Sequence, residues 1–314
     1  MQNFILIAGL VVPVFLIIAL GYLLKILGII NDNFISISSK VVFTISLPAL
    51  IFTEVSKISL SEALDIKMLA FVYGGIIISF ILVWIISLPL VKEGKNKGAF
   101  IQGSFRSNFA IIGLALISNI FGSQKLGKAS LLLAFIIPAF NILSVIALTV
   151  PNRKENQLSA IRTIVEILKN PLIIAVILAI PFSYYGWKLP DVIFTTVDYL
   201  AALSFPLALL GIGGFLNFKE IKKASSIAVF STILKIVLIP LAACFTAYEL
   251  NFPAGDMGII FIFFACPTAI ASFIMAEAMG SNGKLAGNIV LMTTLGSVIT
   301  ITIGLFILKQ NGLL

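Results

Sequence analysis

The chain has 314 residues, of which 60% are apolar and 11% charged, with 21 Lys and Arg against 13 Asp and Glu and no histidine. A mean hydropathy of +1.15 exceeds what a water-soluble domain can bury, so lipid is the solvent for most of the surface. The lack of histidine excludes Ser-His nucleophilic catalysis and His metal ligation. Cys244 and Cys266, both in apolar segments, give no disulfide framework or zinc spacing. The +8 formal charge belongs to loops and reads as membrane orientation, with no nucleic-acid partner expected.

Apolar runs of spanning length lie near 4–27, 34–54, 68–91, 99–121, 129–150, 163–185, 192–216, 224–249, 257–279 and 286–308, which predicts ten transmembrane helices. The first run has no positive segment before it and no small-residue cleavage pattern, so it is expected to stay as a helix. The connection Glu54–Lys67 is expected to hold a short interfacial helix. Pro151–Ala160 is the longest polar loop and separates two five-helix halves, 1–156 and 157–314.

The odd-numbered connections carry twelve basic residues: Lys25, Lys92, Lys95, Lys97, Arg153, Lys154, Arg162, Lys169, Lys219, Lys222, Lys223 and Lys284. The even connections and the termini carry six: Lys57, Lys67, Lys125, Lys128, Lys188 and Lys309. The positive-inside rule therefore places both termini outside the cytoplasm of a multi-pass plasma-membrane protein.

Shifting the chain by 158 residues brings Pro13 onto Pro171, Gly28 onto Gly186, Ser46 onto Ser204, Pro48 onto Pro206, Gly122 onto Gly280 and Ser123 onto Ser281. Because five is odd, the second half enters the membrane from the opposite side. Inverted repeats are the architecture of secondary transporters, with the substrate site near the bilayer midplane between discontinuous helices.

Two spans carry unusual chemistry. The stretch Ala99–Phe121 holds Arg106 and Asn108 between Gly103 and Gly113. A guanidinium at that depth either snorkels to the near interface, forms a structural ion pair, or serves an anion in a water-filled cavity. In Gly258–Gly280, Pro267 removes one backbone hydrogen bond. The result is either a simple kink or a break whose freed N–H groups, beyond Pro267 from Thr268 on, face an anion. Counting about 1.5 Å per residue puts Asn108 and Lys235 both about 15 Å deep, with Asn141 another amide near the midplane. Glu277 lies nearer the inner end of the ninth span and is a candidate coupling carboxylate or resting partner of Arg106. Asp198 and Lys40 read as interfacial or structural.

The segments LPALIF (47–52), NFAIIG (108–113), NPLIIA (170–175), FPLALLGIGGFL (205–216) and CPTAIASFIMAEAMGS (266–281) resemble the auxin efflux carrier family, including its short bacterial members, over nearly the whole chain. The resemblance implies an all-α membrane protein of ten transmembrane helices in two inverted five-helix repeats, similar in fold to the bile acid–sodium symporters, with broken fourth and ninth helices crossing at the midplane. It implies a scaffold and homodimer surface (1–66 and 157–218) and a transport core (67–156 and 219–314). The family pattern around the fourth-helix break runs Asn, Gly, Pro. Asn108 and Gly113 match, but Ala115 stands where proline is expected.

The sequence thus reads as a secondary transporter of a small organic anion, working by elevator-like or rocking alternating access without a cofactor or bound metal. Bacterial relatives are associated with small carboxylates such as malate or malonate. Asn108, Asn141, Gly113, Pro267 and Thr268 would hold the carboxylate, with Arg106 or Lys235 supplying charge. Coupling to protons, to sodium or to the membrane potential alone stays open. The rival readings are a channel and a membrane-embedded enzyme; for the latter the sequence offers no acidic metal-binding cluster, and Ser231, four residues before Lys235, is the one serine at helical spacing. The orientation has a direct test. In intact cells, a cysteine at Asn156 should resist an impermeant thiol reagent and one at Asn311 should react; reversed labelling would contradict it.

Overall fold

The computed structural model describes residues 2–57, 65–152, 171–216 and 225–314, and these are helical apart from their connections. Among the described residues, seven helices are long and apolar enough to cross a membrane. In chain order the segments are α1 (Gln2–Ile26), α2 (Asp32–Ser56), α3 (Ile66–Leu90), α4 (Gly94–Phe105), α5 (Phe109–Ser123), α6 (Lys125–Thr149), α7 (Pro171–Tyr185), α8 (Asp191–Phe215), α9 (Ser226–Glu249), α10 (Ala254–Ala265), α11 (Ile270–Ala278) and α12 (Gly283–Gln310).

The remaining three expected spans appear differently. The fourth is divided into α4 and α5, and the ninth into α10 and α11. The sixth is described only from Pro171 onward, as α7. The expected interfacial helix and the Pro151–Ala160 loop fall mostly outside the described residues. So do Arg153, Lys154, Arg162, Lys169, Lys219, Lys222 and Lys223, which carry much of the orientation argument.

Helix starts follow local chemistry. Asn31, Asp65, Ser225 and Asn282 each accept the N–H three residues on, replacing an intrahelical partner that the first turn lacks. Turns follow glycine. Gly28 and Gly186 have φ of 73° and 66°, and Gly122 and Gly280 have 71° and 70°. These are two pairs 158 residues apart, so the matched glycines share the same left-handed backbone state, which a Cβ disfavours.

Helix α1 packs against α8, and α2 against α7. In the first pair the backbones approach so closely that a Cβ at Gly213 would overlap the Ile18 carbonyl, and one at Gly21 would overlap Leu210. Small residues at such contacts are how helices associate in lipid, where no hydrophobic drive exists between them. Two polar contacts tie α5 to α1 and α2: Asn119 donates to the Leu10 carbonyl, and the Ser123 hydroxyl donates to the buried Glu54 carboxylate, which also pairs with Lys57.

At the same end as these contacts, Lys128 bonds Asp65 at 3.1 Å and Asp256 at 2.8 Å, while Lys125 reaches Asp256 at 3.2 Å. This cluster fastens α3, α6 and α10 together. Burial works to raise the Asp65 carboxyl, but the Met68 N–H and the Lys128 ammonium outweigh it and hold the group below the ordinary 3.8. A depressed carboxylate contributes stability above its unfolded-state value and loses it as pH falls through the folded one. Asp65→Asn should therefore lower the melting temperature at neutral pH, and the difference from wild type should vanish as pH drops below about 3.8. A difference independent of pH would remove the ion pair as its cause.

Candidate functional site

The chain interruptions after α4 and α10 meet. Arg106 leaves the helix with φ −76° and ψ 121°, and Asn108 turns with φ −85° and ψ 48° into the wide turn Phe109–Gly113 that opens α5. On the other side, Cys266 is extended, as the residue before a proline tends to be, and Ala269 caps α11 with φ −65° and ψ 138°. Ser107 and Thr268 lie antiparallel across the crossing.

Each interruption satisfies the backbone of the other. The Asn108 N–H donates to the Pro267 carbonyl at 2.8 Å. The Ser107 hydroxyl donates to the Phe263 carbonyl (2.7 Å) near the end of α10, and the Thr268 hydroxyl donates to the Gly103 carbonyl (2.5 Å) near the end of α4. The Thr268 N–H finds Thr293 of α12 at 3.1 Å. Lys235, 1% exposed, donates to the Phe264 carbonyl at 2.6 Å, placing an ammonium where the α10 dipole is negative. The break between α4 and α5 therefore stands without the proline expected at Ala115, because its partners come from α10 and the connection between α10 and α11.

Beside the crossing is a cavity of about 150 Å3. Arg106, Ser107, Asn108 and Asn141 form its polar wall; Leu133, Ile137 and Phe140 of α6, Phe43 and Leu47 of α2, and Leu172 of α7 supply apolar wall. The remaining lining comes from the start of two helices: Ala110 and Ile111 of α5, and Ala269, Ile270 and Ala271 at the start of α11. Neither helix start has a capping side chain. Each such end carries roughly half a positive charge through its unsatisfied N–H groups, and both open on the same space.

Arg106 adds a full charge. Its guanidinium donates to Ser144 Oγ (2.9 Å), Asn141 Oδ1 (3.1 Å) and Met275 Sδ (2.8 Å), three acceptors for five N–H groups. Among the described residues no carboxylate lies within 4.0 Å of it. The Asn108 amide, 5% exposed, makes no side-chain hydrogen bond among the described residues. The arrangement can neutralise and orient an anion.

The structure thus brings Arg106, Asn108 and Asn141 together and sets the other expected site residues apart from the cavity lining. Pro267 and Thr268 hold the crossing by their backbone and hydroxyl. Gly113 is buried where a Cβ would strike the Phe109 ring, so it allows the turn. Lys235 faces a helix end, and Asp198 lies near Lys57 (4.0 Å). Glu277 is exposed near the end of α11, and Arg106 instead meets Met275, two residues earlier. Ser107, Ser144 and Met275 were not singled out by sequence. Ser107 and Thr268 play matched parts, but they are 161 residues apart (268 − 107), so a strict shift of 158 does not align them.

A polytopic helical membrane protein with paired helix interruptions beside a cavity that carries one polar wall fits the class of membrane transporters. A family model described as membrane transport protein matches residues 6–305, and the chain belongs to that family, the one that contains the auxin efflux carriers. It is 24% identical to an uncharacterized transporter of Methanothermobacter thermautotrophicus, covering 93% of this chain and 95% of the relative. It is 25% identical to a putative malonate transporter of Rhizobium meliloti (98% and 97% covered), and 22% identical to the uncharacterized transporter YfdV of Escherichia coli K12 (95% and 96%).

The crossing generates a stability test. Thr268→Val keeps the side-chain shape but leaves the Gly103 carbonyl buried without its donor, a loss of about 1–3 kcal/mol. Its melting temperature in detergent should fall clearly below that of wild type; an unchanged value would mean that the hydroxyl contributes nothing there.

Proposed function

We propose that the protein is a secondary transporter of a small organic anion, most simply a carboxylate, bound in the cavity beside the crossing. The observation that carries this reading is the convergence of two uncapped helix starts and the Arg106 guanidinium, with no carboxylate beside it among the described residues, on one cavity. Anion binding at helix N-termini is a general consequence of their free N–H groups, and a buried cation without counter-ion is costly until an anion arrives. The relative named as a putative malonate transporter supports a carboxylate as cargo.

In this reading the ten spans form two inverted five-helix repeats, 1–156 and 157–314, an arrangement supported by the paired left-handed glycines. The segments 1–66 and 157–218 act as a scaffold and homodimer surface, supported by the close α1–α8 and α2–α7 packing. The segments 67–156 and 219–314 carry the site. The cavity takes walls from both groups, through Phe43, Leu47 and Leu172 on the scaffold side. An elevator-like slide of one group against the other would then expose the anion to each face in turn. Asn108 and Asn141 orient the carboxylate, and Arg106 neutralises it. Lys235 acts at one remove, holding the Phe264 carbonyl and so the end of α10. Glu277, at an exposed position, is the candidate for coupling to protons. A sodium-coupled symporter is the alternative within the same site.

Calorimetric titration of the folded protein with a panel of small carboxylates tests the site. Arg106→Gln should weaken binding about tenfold or more, the worth of a charge-assisted hydrogen bond at about 1.5–3 kcal/mol, and Asn108→Ala by less. Lys235→Ala should reduce folded yield while the folded fraction keeps near wild-type affinity. Wild-type affinity in Arg106→Gln would overturn the assignment. Glu277→Gln should abolish pH-driven uptake into proteoliposomes while leaving substrate exchange; retained pH-driven uptake would remove Glu277 from coupling.

A further inference from the structure

A second and larger cavity, about 490 Å3, lies between α3 and α9, away from the crossing cavity. Its rims are the lipid-facing side chains Ile78 and Leu82 of α3 and Leu238 of α9, all well exposed. Its floor is Val83, Leu234 and Phe264, all buried. The cleft therefore passes below the ordinary lipid-facing surface to the end of α10, where the Phe264 carbonyl receives Lys235. Gly74 faces open space, with nothing within 4 Å of where a Cβ would stand.

Water does not fit this cleft. Its two hydroxyls, Ser79 and Thr246, already donate within their own helices, to the Gly75 and Ala242 carbonyls at 2.6 and 2.8 Å. A trapped water needs two to four polar partners, so hydrocarbon is the fitting content. One end of the cleft is marked by charge. Leu250 lines it, and the Leu250 carbonyl accepts from Lys67 Nζ at 2.7 Å. The same ammonium lies 4.4 Å from the Phe252 ring centroid, and no carboxylate among the described residues is within 4.0 Å of it.

We propose that this cleft is a phospholipid site, with one acyl chain between α3 and α9 and the headgroup phosphate at Lys67. Apolar walls take the chain, and an ammonium held at the mouth by neutral carbonyls takes the phosphate. The chain end then touches the Phe264 ring, so the bound lipid supports α10 where it stops at the crossing.

Native mass spectrometry of protein purified from membranes of phosphatidylethanolamine and phosphatidylglycerol, after stepwise delipidation, tests this. Wild type should retain one phospholipid beyond the exchangeable shell. Gly74→Phe fills the cleft and should lose it while keeping helical content by circular dichroism; Ala242→Phe is the second cleft-filling variant should the first not fold. Lys67→Gln should retain the lipid several-fold less. The proposal fails if wild type retains no more phospholipid than the filled variant. It fails also if the retained species is detergent or carries no phosphate, or if Lys67→Gln retains lipid as wild type does.

Discussion

Inside a bilayer an open backbone group has no water to turn to, so a helix can stop at mid-depth only where protein supplies the missing partners. The rest of the structure depends on how this chain meets that constraint. Thr268 closes the Gly103 carbonyl, Ser107 the Phe263 carbonyl, the Asn108 N–H the Pro267 carbonyl, and Lys235 the Phe264 carbonyl. The two interruptions form one unit, each incomplete without the other. The carbonyl ends of α4 and α10 are answered by hydroxyls, an N–H and an ammonium, while the N–H ends of α5 and α11 are left without capping side chains.

That asymmetry gives the site its sign. With the negative ends quenched inside the crossing and the positive ends open on the cavity, the local field favours an anion before any side chain is counted. Arg106 strengthens it, and its bonds to Ser144, Asn141 and Met275 fix the guanidinium without neutralising it. The apolar remainder of the wall lowers the local dielectric and so raises the worth of each polar contact. The chain belongs to a membrane transport family; in the proposed function the anion is the cargo, and the walls contributed by α2 and α7 are the surface against which the site would move.

Much of this was legible because polar residues are conspicuous in apolar spans. Arg106 stands out by burial cost, Asn108 and Asn141 as amides inside apolar spans, and Pro267 marks the place of a kink or break that the structure shows to be a break before α11. The paired glycines mark matched turns because each needs a left-handed backbone. Other features are invisible in sequence for physical reasons. The break after Phe105 carries no proline, since its cause is a set of bonds to residues more than 150 positions away. Lys235 was readable as needing a partner, but a backbone carbonyl at a helix end has no side-chain signature. Ser107, Ser144 and Met275 look like ordinary members of apolar helices, and Glu277 lies close to Met275 in sequence without meeting Arg106.

In the proposed function a carboxylate sits between Arg106 and the start of α11. Structure determination with a brominated short-chain carboxylate tests it most directly, because anomalous scattering locates the bromine independently of the interpretation of the protein. A single bromine position within the cavity is expected, with the carboxylate against Arg106 and the N–H groups at Ile270 and Ala271. A bromine peak outside that cavity, with Arg106 still held only by Ser144, Asn141 and Met275, would contradict it.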